Sequence, residues 1–201
     1  MDASGVDMAV ILGMGWTNNY LALKVNDYLL EMASLHKGRL IPFCSVNPAW
    51  GEAAIREVER CARLGARGIG ELHPDSQGFN LNSTEVMDPL MEVARQHHLI
   101  LLIHGSEPVG HQYPGKGATT PEILLSFIQR YQDIPIVCAH WGGGLPFYGL
   151  MPEVRKAMGN TYFDSAASTL LYHPQVCSIA TKLVGVEQVL FGSDYPLLSP
   201  G

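Results

Sequence analysis

Histidines and carboxylates stand at the ends of short apolar runs throughout this sequence. Glu71 and His73 lie in GELHP, His104 in LLIHG, His140 in CAHWGGG, Asp164 in YFDSA and Asp194 in GSDYP. Neutral imidazole and carboxylate oxygens are the ligands that a Zn²⁺-like or Mn²⁺-like ion takes. Such an ion acidifies a bound water to a pKa near ~7 and makes hydroxide available at neutral pH. Each residue also has a plainer reading. A lone His after an apolar strand is often a hydrogen-bonded structural residue, although two of them after successive runs, His104 and His140, weigh against it. Asp194 suits a turn before Pro196, Glu71 suits a helix cap or an ion pair, and Asp164 suits the Ser165–Ser168 turn. His36 and the pair His97-His98 fall where helices end and need no further role there. His111 lies in a long polar loop, where it is solvated or reaches a substrate from a lid.

The apolar runs themselves cover residues 8–13, 39–46, 66–72, 99–104, 134–140, 161–167 and 188–194. Helical patterns follow the first six. In GEAAIREVERCARLG, Ala54, Ile55, Val58, Cys61, Ala62 and Leu64 fall at helical spacing. Thr120-Pro121 reads as an N-cap with proline at the first helical position, and residues 145–159 read as one helix. Apolar strands alternating with helices signal a parallel sheet covered on its faces. Two architectures fit, a doubly wound open sheet and a (β/α)₈ barrel, and both gather active sites at the carboxyl ends of their strands. The count is seven strands where a closed barrel needs eight. Together with a start, MDASGVD, that reads as a helix end, this predicts an incomplete barrel forming a single domain over residues 1–201, truncated at both termini.

Composition narrows the class further. The chain has 201 residues, 47% of them hydrophobic and 16% charged, enough to bury a real core. A net charge of −6 without a Lys/Arg cluster offers no nucleic-acid footprint. No stretch approaches the roughly 20 apolar residues of a membrane helix, and no secretory leader is visible. The four cysteines are dispersed without CxxC, which predicts reduced, mostly buried thiols and a cytoplasmic protein. Two glycine-rich stretches invite other readings. HWGGGLP either offers backbone N–H groups to an anion or makes a sharp turn that brings Trp141 over the site. LGMGWTN imitates a dinucleotide-binding turn, but Asn18 replaces its third glycine and no acid ends the following strand. GKGATT lacks the Ser/Thr that a phosphate-binding loop places after its Lys.

In their order, GELHP, LLIHG, VCAHWGGGLPF, NTYFDSAAS and VLFGSDYPL resemble the amidohydrolase-related (amidohydrolase 2) family of metal-dependent TIM-barrel proteins. The branch is similar to the aminocarboxymuconate-semialdehyde decarboxylase group. The resemblance implies a divalent metal, zinc first and manganese as the alternative, with His104 as a ligand. It implies that His140 binds metal or polarises water or substrate, and that Asp194 both ligates metal and acts as general base. Glu71 becomes a bridging ligand or a supporting group, and His73 and Trp141 face substrate. A homodimer is also implied. The His-x-His that opens the family's first strand has no counterpart here, in keeping with a missing first βα unit. The expected activity is hydrolysis by a metal-activated water. The alternatives are non-oxidative decarboxylation or hydration of an aromatic or unsaturated acid, a nucleotide-binding module built on the Gly13–Gly15 turn, and a catalytically inactive barrel.

Overall fold

The computed structural model of the chain describes residues 1–198; the last three residues of the expected domain lie outside them. Seven strands are present among the described residues: β1 (Ala9–Ile11), β2 (Leu40–Cys44), β3 (Gly68–Leu72), β4 (Ile100–Ile103), β5 (Ile136–Cys138), β6 (Thr161–Asp164) and β7 (Val189–Leu190). Each lies within one of the apolar runs. Between them come α1 (Asn19–Leu35), α2 (Glu52–Arg63), α3 (Pro74–Gln77), α4 (Thr84–Gln96), α5 (Pro121–Arg130), α6 (Pro152–Ala157), α7 (Ser168–Leu171) and α8 (Val176–Val184). The chain divides into two compact units, Met1–Ile103 and the residues from His104 onward.

In the first unit β1 to β4 are parallel and adjacent in chain order, with Ala9 opposite Leu40, Phe43 opposite Gly68 and Leu72 opposite Ile103. In the second unit β5, β6 and β7 follow the same rule. A doubly wound sheet reverses its strand order at a switch point. Neither unit contains such a reversal, so the series is that of an incomplete (β/α)₈ barrel.

Helix α2 shows how the first unit closes. Its buried positions are Ala54, Glu57, Val58 and Cys61, one stripe at spacings of three and four. The acid Glu57 is therefore inside, whereas Leu64, read from the pattern as part of the apolar face, is exposed beyond the helix end. Glu57 is accepted there because Arg60 donates to both its oxygens at 2.8 Å and Asn26 donates at 2.9 Å. Helix α1 begins at Asn18, whose side chain accepts the Leu21 amide at 3.0 Å. The residue that spoils the dinucleotide pattern thus works as a cap. Gly13 and Gly15 have a packing reason too, since a Cβ would meet Ser45 Oγ at 2.6 Å and His73 Cβ at 2.7 Å.

The expected helix over 145–159 is broken. A 3₁₀ segment runs to Leu150, Met151 is extended, and α6 restarts with Pro152 at its first position. Proline has no N–H to give and its ring clashes with the preceding turn, so Pro152 starts a helix rather than continuing one. Thr120 is the N-cap of α5 by position, but its side chain makes no capping bond. His36 and His97 are the C-caps of α1 and α4, as their places in the sequence suggest. All four cysteines are free thiols, three of them buried, and no helix of the described residues is long and apolar enough to cross a membrane.

Candidate metal centre

Two of the strand-tip histidines come together in the second unit. His104 follows β4 and His140 follows β5 after one residue; their rings meet edge to face with centroids 4.9 Å apart. Both are buried, at 8% and 7% exposure. Burying imidazoles is unfavourable unless their polar atoms are satisfied, and each has a fixed partner. His140 Nδ1 lies 3.2 Å from the Ala166 carbonyl oxygen. A carbonyl only accepts, so Nδ1 carries the proton and Nε2 the lone pair, the tautomer that a metal-binding histidine presents. His104 Nε2 lies 3.2 Å from the Ser106 hydroxyl, which also accepts the Gly117 amide at 2.9 Å.

The backbone pays conformational strain to bring this about. His140, Trp141, Gly142, Gly143 and Gly144 all have positive φ, between 55° and 96°. For the two non-glycine residues the left-handed region costs roughly 1–2 kcal/mol each. Glycine removes that penalty at the other three positions and lets the chain pass close to the segment after β4. A Cβ on Gly143 would collide with the Ser106 carbonyl, and one on Gly105 would meet Gly142 Cα at 2.7 Å. The triple glycine therefore brings the His140 turn against the residues that follow His104. Trp141 is fully buried, its indole N–H donating to Ser168 Oγ at 2.7 Å, so it anchors that turn from within the core.

The other expected site residues are placed as follows. Asp164 accepts the His140 amide at 2.9 Å and the Ala166 amide at 3.0 Å, so the structural role read for it extends to holding the His140 backbone. Asp194 follows β7, exposed, in the left-handed region at φ 57°, which Asp tolerates. Glu71 is half-buried at the penultimate position of β3, where the pairing with β4 changes register between Ile69 and Leu72. Such an irregularity re-aims a side chain at a strand end. His73 caps α3, its Nδ1 accepting the Ser76 amide at 3.3 Å. His111 is exposed in its loop, its ring 5.5 Å from that of Tyr113.

A third group was not anticipated from the sequence. Glu107 accepts the Tyr113 hydroxyl at 2.7 Å and the Tyr172 hydroxyl at 2.8 Å. Burial and the Glu107 carboxylate together push both phenols well above their ordinary range, so they remain donors. Glu107 lies three residues past His104, which is a local signal; its bond to Tyr172 spans 65 residues and has none.

Parallel strands in chain order with helices between them define an incomplete (β/α)₈ barrel. The chain belongs to the amidohydrolase-2 family, whose amidohydrolase model matches residues 16–201. Solved structures share the fold at low identity. The 5-carboxyvanillate decarboxylase of Sphingomonas paucimobilis is 19% identical with a TM-score of 0.75, over 98% of this chain and 71% of that one. The 2,6-dihydroxybenzoate decarboxylase of Rhizobium is 17% identical with a TM-score of 0.77, over 100% and 76%. The 5-carboxyvanillate decarboxylase of Novosphingobium aromaticivorans, solved with manganese and 4-hydroxy-3-methoxy-5-nitrobenzoic acid, is 21% identical with a TM-score of 0.74, over 98% and 69%.

Proposed function

We propose that this chain is a metal-dependent, non-oxidative decarboxylase of an aromatic carboxylic acid, with His104 and His140 holding the ion, Glu71 as the further carboxylate ligand and Asp194 as the acid. The observation that carries this reading is the buried edge-to-face pair of imidazoles, each ring fixed by its own hydrogen bond. For Glu71 the family resemblance implies the role of a carboxylate ligand, and about three protein ligands suit a catalytic ion. A mixed imidazole and carboxylate set can hold manganese as well as zinc, with ligand type and metal availability deciding between them. Manganese is the ion in the aromatic-acid decarboxylase of similar fold, and we assign it here. Decarboxylation is preferred to hydrolysis because decarboxylases of aromatic acids are among the solved structures that share this fold.

Once bound, the ion supplies charge that orients the substrate carboxylate and lowers the barrier to the developing anion. The chain's own residues do the rest. The Ala166 carbonyl and Asp164 hold His140, ring and backbone, so that its lone pair stays presented. Ser106 holds the ring of His104. As the bond between ring carbon and carboxylate breaks, its electron pair stays on the carbon and carbon dioxide leaves. Asp194 delivers one proton to that carbon and, being exposed, recovers it from water.

The test is incubation with Mn²⁺ and 2,6-dihydroxybenzoate or 5-carboxyvanillate, reading carbon dioxide and the decarboxylated phenol. Matching amounts of both are expected, and Asp194→Asn should abolish them. Hydrolysis of ester, amide or lactone substrates with no carbon dioxide from any aromatic acid would replace this reading with the hydrolytic one.

A further inference from the structure

The segment from Gly105 to Thr119 has no regular secondary structure, yet it carries the residue that touches His104. A stretch of this length holds one shape only if its polar groups are tied. Its ends meet through the Ser106 amide and the Thr119 carbonyl at 2.9 Å, and Ser106 Oγ receives the Gly117 amide. Lys116 donates to the Val109 and His111 carbonyls at 2.8 and 3.1 Å. All these bonds stay within the segment. Glu107 makes a side-chain tie to a distant part of the chain: one oxygen takes Tyr113 from inside the segment and the other takes Tyr172 from beyond α7.

The partners also matter. Buried Glu57 is held by an arginine, but the ion pairs of the described residues include none to half-buried Glu107. Two neutral phenols hold it instead. They fix the carboxylate in two directions and add no cation beside the imidazoles. Glu107 is bonded in the chain to Ser106, so fixing its carboxylate fixes the backbone that aims the Ser106 hydroxyl at His104 Nε2.

We propose that Glu107 is a positioning residue for His104: clamped between Tyr113 and Tyr172, it locks the 105–119 segment and through Ser106 sets the orientation of the His104 ring. This rests on the reading of His104 as a ligand only for its catalytic meaning. The clamp itself is tested without metal or substrate.

Two readouts on the full chain decide it. The first is tryptic cleavage after Lys116, which follows the population of the opened segment. The second is the side-chain ¹⁵N signals of His104, assigned by their loss in His104→Asn. Glu107→Ala is expected to speed cleavage by about tenfold, the effect of a modest local opening, and to shift the His104 signals. Glu107→Gln, which keeps an acceptor for one phenol, should recover most of both. If Glu107→Ala does not fold, Tyr172→Phe, lacking a single hydroxyl, should move both readouts in the same direction by less. Cleavage within twofold of the parent overturns the clamp. Faster cleavage with unmoved His104 signals overturns the positioning role. A parent chain that binds no Mn²⁺ contradicts the proposed function and leaves these two readouts to judge the clamp independently.

Discussion

In the first unit, Glu57 lies on α2 with Arg60 gripping both its oxygens, Asn26 donating from α1 and the Cys61 thiol donating at 3.3 Å. In the second, Glu107 lies in a loop with two tyrosine hydroxyls, next to a serine that touches a buried histidine. Both are carboxylates taken partly out of water, and both are satisfied. The first network stays within its unit: Asn26 also exchanges bonds with the Ser45 amide and carbonyl, which ties α1 and α2 to the residue after β2, and Ser45 Oγ donates on to Gly70 of β3. The second leads to His104, and beside it His140 sits on a strained left-handed turn. A buried acid with its cation on the same helix explains itself as architecture. Two buried imidazoles in contact, one of them on backbone that costs free energy to hold, call for a function.

The comparison can be broken by mutation, and the largest effect belongs to the second unit. His140→Ala should weaken Mn²⁺ binding by more than about 100-fold, since even partners of ligands matter by 10- to 100-fold. Calorimetric titration beside a circular-dichroism melt reads this, and the melt should move little. Asn26→Ala does the reverse. It deletes three hydrogen bonds of a side chain only 1% exposed. A loss of about 2–3 kcal/mol in urea unfolding is expected, with Mn²⁺ affinity kept within about twofold. Gly143→Ala joins the two effects: φ is 62° and a Cβ would press on the Ser106 carbonyl. It should cost about 1–3 kcal/mol and lower metal affinity together, because the same collision displaces the segment after His104.

The smallest effect is a pH dependence. Burial alone would raise the Glu57 carboxyl, but the bonds from Arg60, Asn26 and Cys61 outweigh it and hold the group below its usual 4.5. A depressed carboxyl contributes stability that is fully present above the unfolded value and is lost as pH falls through the folded one. Unfolding free energy should therefore decline below about pH 4.5 more steeply in the parent than in Glu57→Gln. Equal slopes would remove Glu57 from the account of acid sensitivity.

The strands were legible because each is an apolar run that ends in punctuation, and the helices because their apolar faces recur at helical spacing. That reading misplaced Leu64 and missed the burial of Glu57, because periodicity records hydrophobicity and not which acid has found a cation. It ran a helix through 145–159 because apolar spacing is blind to the ring of Pro152. In the candidate site, strand-tip logic found His104 and His140. It left HWGGG open between anion binding and a sharp turn, since only coordinates show that Gly143 is there for the approach of Ser106. Tyr172 was out of reach altogether. Its partner lies 65 residues back, and nothing local in its surroundings marks it as a donor to Glu107.

The central claim is that the two imidazoles ligate one ion, and pulsed electron paramagnetic resonance of bound Mn²⁺ in ¹⁵N-histidine-labelled protein tests it most directly. Couplings from two histidine nitrogens are predicted, with one lost in His104→Asn and the other in His140→Asn. Bound Mn²⁺ without nitrogen couplings, or couplings that survive both substitutions, would contradict the account.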